Sequence, residues 1–395
     1  MGRRTGSQDA DLIERAGDLK GELVSFALSP RFGRELEQLI EEQFPGGVVD
    51  DEQTFYLTVD YFALQYRLSA GNTVVEEFVT AHPDLPDSER DMLLGWRDVV
   101  EGMFEVTGKD RDAAVLVNVA DELTYRTRSN MGARAFRPMK KGMILVGRVV
   151  PLGEDWLLSG NPALFPASDR DKMLAVAAQQ ATRHPELVFR NPARLAQARE
   201  LLERQRATFV ELFGSDLIVV PPDEVAAKVE EFYGVVTRQA RADAGLGDEA
   251  AGEPPAGDLG LPDDIWYSGR VAVHFAEGEG LSFYPHYDLL EEVFDQPGLV
   301  ARRRHRETLS EMLRDPETSP EPLRRLAARD PAKASVLFTR LLRRKRGFSW
   351  ADDGEELLRQ HKPSYYDGTR LPRTVVLPDP LTSALRRAQE NEPAG

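Results

Sequence analysis

Apolar positions recur every three to four residues through most of the first hundred residues, the period of a helix with one buried face. The stretch "SQDADLIERAGDLKGELVSFAL" predicts such a helix, with Ser7 as its cap and acids in its first turn. "SPRFGRELEQLIEEQF" predicts a second, with Ser29 capping and Pro30 at the first helical position. Pro45-Gly46-Gly47 breaks the pattern. In the following segment Phe55, Val59, Phe62 and Tyr66 fall on one helix face, a spacing that reads as core. "DSERDMLLGWRDVVEGMFEV" reads as another helix, capped by Asp87 or Ser88.

Near residue 112 the period shortens to two. "DAAVLVNV", "ELTYRTRS", "GMILVGRVVP" and "DWLLSG" are short, β-branched and bounded by turns. They predict an antiparallel sheet or small barrel over roughly 112–166. Helical periodicity returns in "SDRDKMLAVAAQQATRH" and "PARLAQARELLERQRATFVELFG". "DLIVV" is a strand, and "PPDEVAAKVEEFYGVVTRQ" a helix behind a proline start. Residues 240–262 are Gly/Ala/Pro-rich and acidic, with too little apolar surface to order themselves, and read as a linker. Beyond them, alternation on both sides of Glu277-Gly278-Glu279-Gly280 signals a hairpin, and helices follow.

The expected fold is therefore α+β and multi-domain. Residues 1–105 form a helical N-terminal region and 106–239 a small antiparallel β module flanked by helices. A flexible acidic linker covers 240–262. Residues 263–395 form a mixed C-terminal domain with hairpin and helices. Asp315-Pro316 and Asp330-Pro331 both sit in an Arg-Asp-Pro triplet, each offering a capping carboxylate before a proline. The surrounding 35 residues or so resemble a helical solenoid unit of the leucine-rich-variant or HEAT kind. That resemblance implies two consecutive units, each opened by its triplet, where a solenoid needs at least about three.

Charge changes this picture more than composition does. The chain of 395 residues carries a net −16, yet residues 302–346 hold 14 Arg and Lys against 6 Asp and Glu. That segment is 14 − 6 = +8, so the remainder is −16 − 8 = −24. On a helix running through 331–346, Lys333, Arg340 and Arg344 would share one line, opposite Leu337, Phe338, Leu341 and Leu342. Arg302, Arg303, Arg304 and Arg306 precede them on another helix. Packed side by side, the two would merge their cationic faces.

Such a surface suits nucleic acid, because each cation placed on a phosphate releases a counterion. The candidate contacts are Arg302, Arg303, Arg304, Arg340, Arg343, Arg344 and Arg346, with Trp350 as a stacking platform for a base. The same arginines could face an acidic protein surface, an acidic region of a second copy, or the chain's own carboxylates.

Sought chemistry is mostly missing. There is no cysteine, which removes disulfides, thiolate metal sites and thiol nucleophiles and suits a cytoplasmic protein. No apolar run approaches a bilayer span, so no membrane partner is expected. "GMFEVTGKD" lacks the spacing and the hydroxyl of a phosphate-binding loop, and "GEGLSF" lacks the third glycine of a dinucleotide fingerprint. His274, His286 and Asp288 form the best ligand-like set, which a metal-dependent hydrolase could use. Asp352, Asp353, Glu355 and Glu356 read as a helix start answering the macrodipole, or as paired carboxylates. The leading expectation is a non-enzymatic binding or scaffold protein without a cofactor. The alternatives are that hydrolase and a self-associating structural protein.

Overall fold

A computed structural model describes residues 4–44, 51–243, 261, 263–344 and 347–390. The fold is mixed α+β with a helical start, and the chain divides into two compact units. The first comprises residues 1–191 and 377–395, the second 192–376.

In the first unit five helices precede a barrel: α1 (Arg4–Ala27), α2 (Gly33–Gln43), α3 (Glu52–Leu64), α4 (Val74–Ala81) and α5 (Asp87–Gly95). The Phe55–Tyr66 stripe is core as its spacing requires: Val59 and Phe62 are buried, and Tyr66 packs on Phe62 at 5.3 Å between ring centroids. Three expected caps are not realised. The backbone of α1 is already helical three residues before Ser7, Ser29 makes no side-chain cap bond, and Pro86 occupies the cap of α5. Pro45-Gly46-Gly47 lies outside the described residues.

Five strands close into a barrel: β1 (Val100–Asp110), β2 (Ala113–Asn118), β3 (Thr124–Arg128), β4 (Ile144–Leu152) and β5 (Asp155–Phe165), in the order β1-β2-β3-β5-β4. All pairs are antiparallel except β3 with β5, which is parallel. The barrel starts earlier than its periodicity suggested, because "VEGMFEVTGKD" is a strand and not the tail of a helix. Met103, Phe104 and Val106 bury on pairing with β2 and β4, and that tertiary gain overrides local helical spacing. Phe104, Leu116, Tyr125, Leu145 and Val149 fill the interior.

The expected boundary at 105/106 is absent. Leu19, Phe62, Phe78 and Trp96 from the helices share one core with Val150, Leu152 and Leu157 from β4 and β5. The helices bury their apolar faces against this side of the barrel. Helices α6 (Arg170–Arg183) and α7 (Glu186–Phe189) follow the barrel.

The second unit opens with α8 (Pro192–Phe213), β6 (Leu217–Val220) and α9 (Pro222–Asp243). It resumes with β7 (Val271–Ala276), β8 (Gly280–Tyr284), α10 (Tyr287–Asp295), α11 (Arg303–Arg314), α12 (Glu321–Arg329), α13 (Pro331–Leu341) and α14 (Trp350–His361). The last helix, α15 (Asp379–Glu390), returns to the first unit, where it lies along α6 with Leu381 and Ala384 buried.

The hairpin is β7–β8, and β6 completes a three-stranded antiparallel sheet by pairing Leu217–Val220 with Val271–His274. That pairing overturns the domain boundary expected at 240–262. Strands from both sides of the segment share ladder hydrogen bonds and one core around Phe209, Phe232 and Phe275, so they fold as one unit. Residues 240–243 continue α9, and 244–260 lie outside the described residues.

The two Arg-Asp-Pro triplets are not equivalent, so the expected pair of solenoid units is not one repeat. Asp330 caps α13, accepting a hydrogen bond from the Lys333 amide at 3.0 Å. Asp315 instead ends α11 and accepts from the Glu317 amide and the Thr318 hydroxyl, and the next helix begins only at Glu321.

Candidate functional site

The arginine-rich segment folds into two populations. Those inside the helical stack of the second unit are compensated. Arg324 makes a two-armed bond to Glu355, at 2.7 and 2.8 Å, and a third to the Tyr366 hydroxyl. Arg325 reaches buried Asp216 at 2.7 Å and Glu321 at 2.8 Å, and Arg329 reaches Glu291 at 3.0 Å. The guanidinium groups of Arg325 and Arg206 hold the Asp216 carboxyl below its usual range, against the opposing effect of burial.

The second population lies at one end of α11 and α13. Arg302 caps α11 in extended geometry, with no side-chain cap bond. The first turn of α11 contains no acid, and Arg303 and Arg304 follow directly. Arg302 and Arg306, four residues apart, share a helix face and are exposed. The 3-10 turn Pro297–Ala301 packs against both α11 and α13. Arg340 reaches across to it, its Nη1 standing 3.5 Å from where a Cβ on Gly298 would sit. Among the described residues Arg302, Arg306, Arg340 and Arg343 at this end have no acidic partner, nor has Arg314 at the far end of α11.

Arg303 bonds Glu307 at 2.8 Å within the helix, and Arg304 approaches His286 Nδ1 at 3.4 Å. Arg344 stacks over the ring of Phe348 at 5.3 Å. Arg346 lies outside the described residues. Arg314 was not among the sequence candidates.

The expected single cationic line along 331–346 is not formed. Helix α13 ends at Leu341, and Arg343 takes a left-handed backbone conformation at φ 52°. The chain then turns so that buried Phe348 and half-buried Trp350 close over Phe338. Trp350, expected to offer a free stacking face, has its ring 4.7 Å from that of Phe338 and belongs to the core. Tyr365 and Tyr366 are likewise engaged, with Arg370 at 4.5 Å and Arg359 at 4.9 Å from their ring centres.

The ligand-like histidines do not converge. Among the described residues no group of three or more His, Asp or Glu side chains could hold a metal ion. His274 is buried in the sheet, 3.4 Å from the Tyr284 hydroxyl, and burial pushes its imidazole down to about 4. His286 sits at a left-handed turn beside Arg304, and Asp288 accepts the Arg270 amide at 3.1 Å. The carboxylates at 352–356 are a helix start: Ser349 caps the Asp352 amide, Asp353 accepts the Ser349 amide at 3.0 Å, and Glu355 belongs to Arg324.

A second feature had no signal in the sequence. In the first unit a cleft flanks the barrel, where Asn118 and Arg183, 65 positions apart, come to one site.

Residues 34–186, helices and barrel of the first unit, match a family described as "Family of unknown function (DUF7986)". The arginine rim lies outside that match. No curated protein and no solved structure matches the chain. Among the described residues no helix is long and apolar enough to cross a membrane.

Proposed function

We propose that this is a non-enzymatic binding protein of a reducing cytoplasm, whose arginine rim at the start of α11 and the end of α13 docks nucleic acid. The observation that carries this reading is the start of α11. Cations at the positive end of a helix dipole cost about 0.3–1 kcal/mol, and a cap position without Ser, Thr, Asp or Asn loses about 1 kcal/mol more. Arg302 holds that cap, with Arg303 and Arg304 behind it and no acid in the turn. The arginines deeper in the same unit have each been given a carboxylate. Self-compensation therefore accounts for the inner arginines and for Arg303, and leaves Arg302, Arg306, Arg340 and Arg343 without a carboxylate among the described residues. A polyphosphate backbone supplies negative charge at dense, regular spacing, and guanidinium groups bind phosphate with two arms. The aromatics near the rim are internal, so the contact is to the backbone and carries little sequence preference.

The test is binding to single- and double-stranded DNA and RNA across a salt series. Affinity falling steeply with salt, and lost in an Arg302→Glu/Arg340→Glu variant, is expected. Binding absent at low salt, or indifferent to salt, contradicts the proposal. An acidic protein caught by the same rim while nucleic acid is not would assign the surface to that partner instead.

A further inference from the structure

Between α3, the start of β1 and the α6–α7 corner of the first unit lies a cleft of about 630 Å³. Sites for small organic molecules have this size, with apolar walls and a few convergent polar groups. Met103, Val146 and Leu187 supply apolar wall.

Most charges facing the cleft already have partners. Glu101 meets Arg148 at 2.7 Å, Glu186 meets His184 at 3.2 Å, and Arg190 holds Asp98 at 2.8 Å. Buried Asp121 receives the Leu123 amide at 2.7 Å and the Tyr125 hydroxyl at 2.6 Å.

Two donors remain. Asn118 is 2% exposed, and its Oδ1 accepts the Ala120 amide at 2.9 Å. Its Nδ2 has no hydrogen-bond partner among the described residues. This nitrogen is not sealed from solvent but opens onto the cleft, where water or the acceptor oxygen of a bound ligand takes its N–H. Gly102 keeps the space around it open, since a Cβ there would come within 2.8 Å of Nδ2. Arg183 lines the cleft, exposed, and has no acidic partner among the described residues.

We infer that this cleft binds a small organic anion with an apolar body. Its carboxylate or phosphate lies at Arg183, its body against Met103, Val146 and Leu187, and an acceptor oxygen on the body takes the Asn118 N–H. Asn118, Arg183 and the apolar wall define the ligand; of the carboxylates on the lining, Glu101 is charge-paired with Arg148, while Asp121 is held by neutral donors. The site is separate from the arginine rim, so either proposal stands or falls alone.

Calorimetric titration of the full chain tests this, with 4-methoxybenzoate and 4-methoxyphenyl phosphate as probes. The neutral 4-methoxybenzamide and inorganic phosphate serve as controls. Saturable binding of at least one organic anion is expected, weaker by about tenfold or more for the neutral amide and for Arg183→Gln. The Asn118 side-chain amide resonances should shift on binding. An Arg302→Glu/Arg340→Glu variant should bind the probe as the parent does. Arg183 is exposed, so its replacement leaves the fold intact. The inference is overturned if neither organic anion binds, if Arg183→Gln binds unchanged, or if the rim variant is the one that loses binding.

Discussion

The barrel strands and the end of α11 treat the same residue type in opposite ways. Arg126 and Arg128 on β3 share Asp155, and each takes a second acid, Asp110 at 2.9 Å and Asp112 at 2.6 Å. Arg148 on β4 is almost fully buried and saturated by Glu101, Gln65 and the Leu57 carbonyl. Every arginine on a barrel strand is thus answered within the first unit. At the α11 rim the local geometry calls for acids and receives cations. Buried guanidinium must be paired to be tolerated at all, whereas an exposed one can wait for a partner in water. The barrel pairs its arginines to fold, whereas Arg302, Arg306, Arg340 and Arg343 are left to water, which is what the proposed binding role uses.

The contrast is sharpened first where breaking a pair costs most. Asp60, 2% exposed, holds Lys20 at 2.7 Å and the Ser159 hydroxyl at 2.8 Å. Asp60→Ala leaves a buried ammonium without its counter-charge, and chemical denaturation should register a loss of about 3–5 kcal/mol. A loss under about 1 kcal/mol would mean that the first unit does not depend on its pairing.

The next effect is a pH dependence in the second unit. The folded imidazole of His274 is pushed below its ordinary value, to about 4, chiefly by burial. Folding therefore favours its neutral form. Its contribution is complete above about pH 6.5 and is lost as pH falls toward 4, by up to about 3 kcal/mol. Unfolding free energies measured between pH 7 and 4 should fall more steeply for the parent than for His274→Gln. Equal slopes would show that this residue is not titrating on unfolding.

A smaller change carries the opposite sign. Arg302→Asp supplies α11 with both a cap and a charge suited to its dipole, and should stabilise the protein by about 1 kcal/mol. The same substitution should weaken polyanion binding, so stability and affinity move in opposite directions. Smallest of all, Arg306→Ala and Arg340→Ala should change stability by less than about 0.5 kcal/mol, because no acid loses a partner. A clear destabilisation by either would reveal internal compensation and remove the rim's claim to be free.

Local patterning made much of this fold legible. The Phe55–Tyr66 stripe, the β6 strand, the proline start of α9 and the turn at 277–280 follow from spacing and turn chemistry alone. What spacing could not show is which segments share a core. "VEGMFEV" satisfies a helix locally and becomes β1 because β2 and β4 bury it. The acidic Gly/Pro stretch looked like a boundary, yet β6 and β7 pair across it. The capping box at Thr73 and Glu76 fixes the start of α4, a helix the sequence reading did not place. In the rim, charge segregation was visible from counting, while the division into paired and unpaired arginines was not. Arg324 and Arg302 look alike in sequence, and only the fold brings Glu355 to one and nothing acidic to the other. Asn118 and Arg183 carried no motif, because a cleft formed by distant segments leaves no local period.

The most direct measurement is the affinity of the full chain for single-stranded nucleic acid as a function of salt, for the parent and for Arg302→Asp. A rim of four or five free guanidinium groups predicts a log–log slope of about −3. That slope should become shallower by roughly 0.7–1.4 in a variant that is also more stable. A flat salt dependence, or a variant that gains stability and binds as tightly as the parent, would contradict the account.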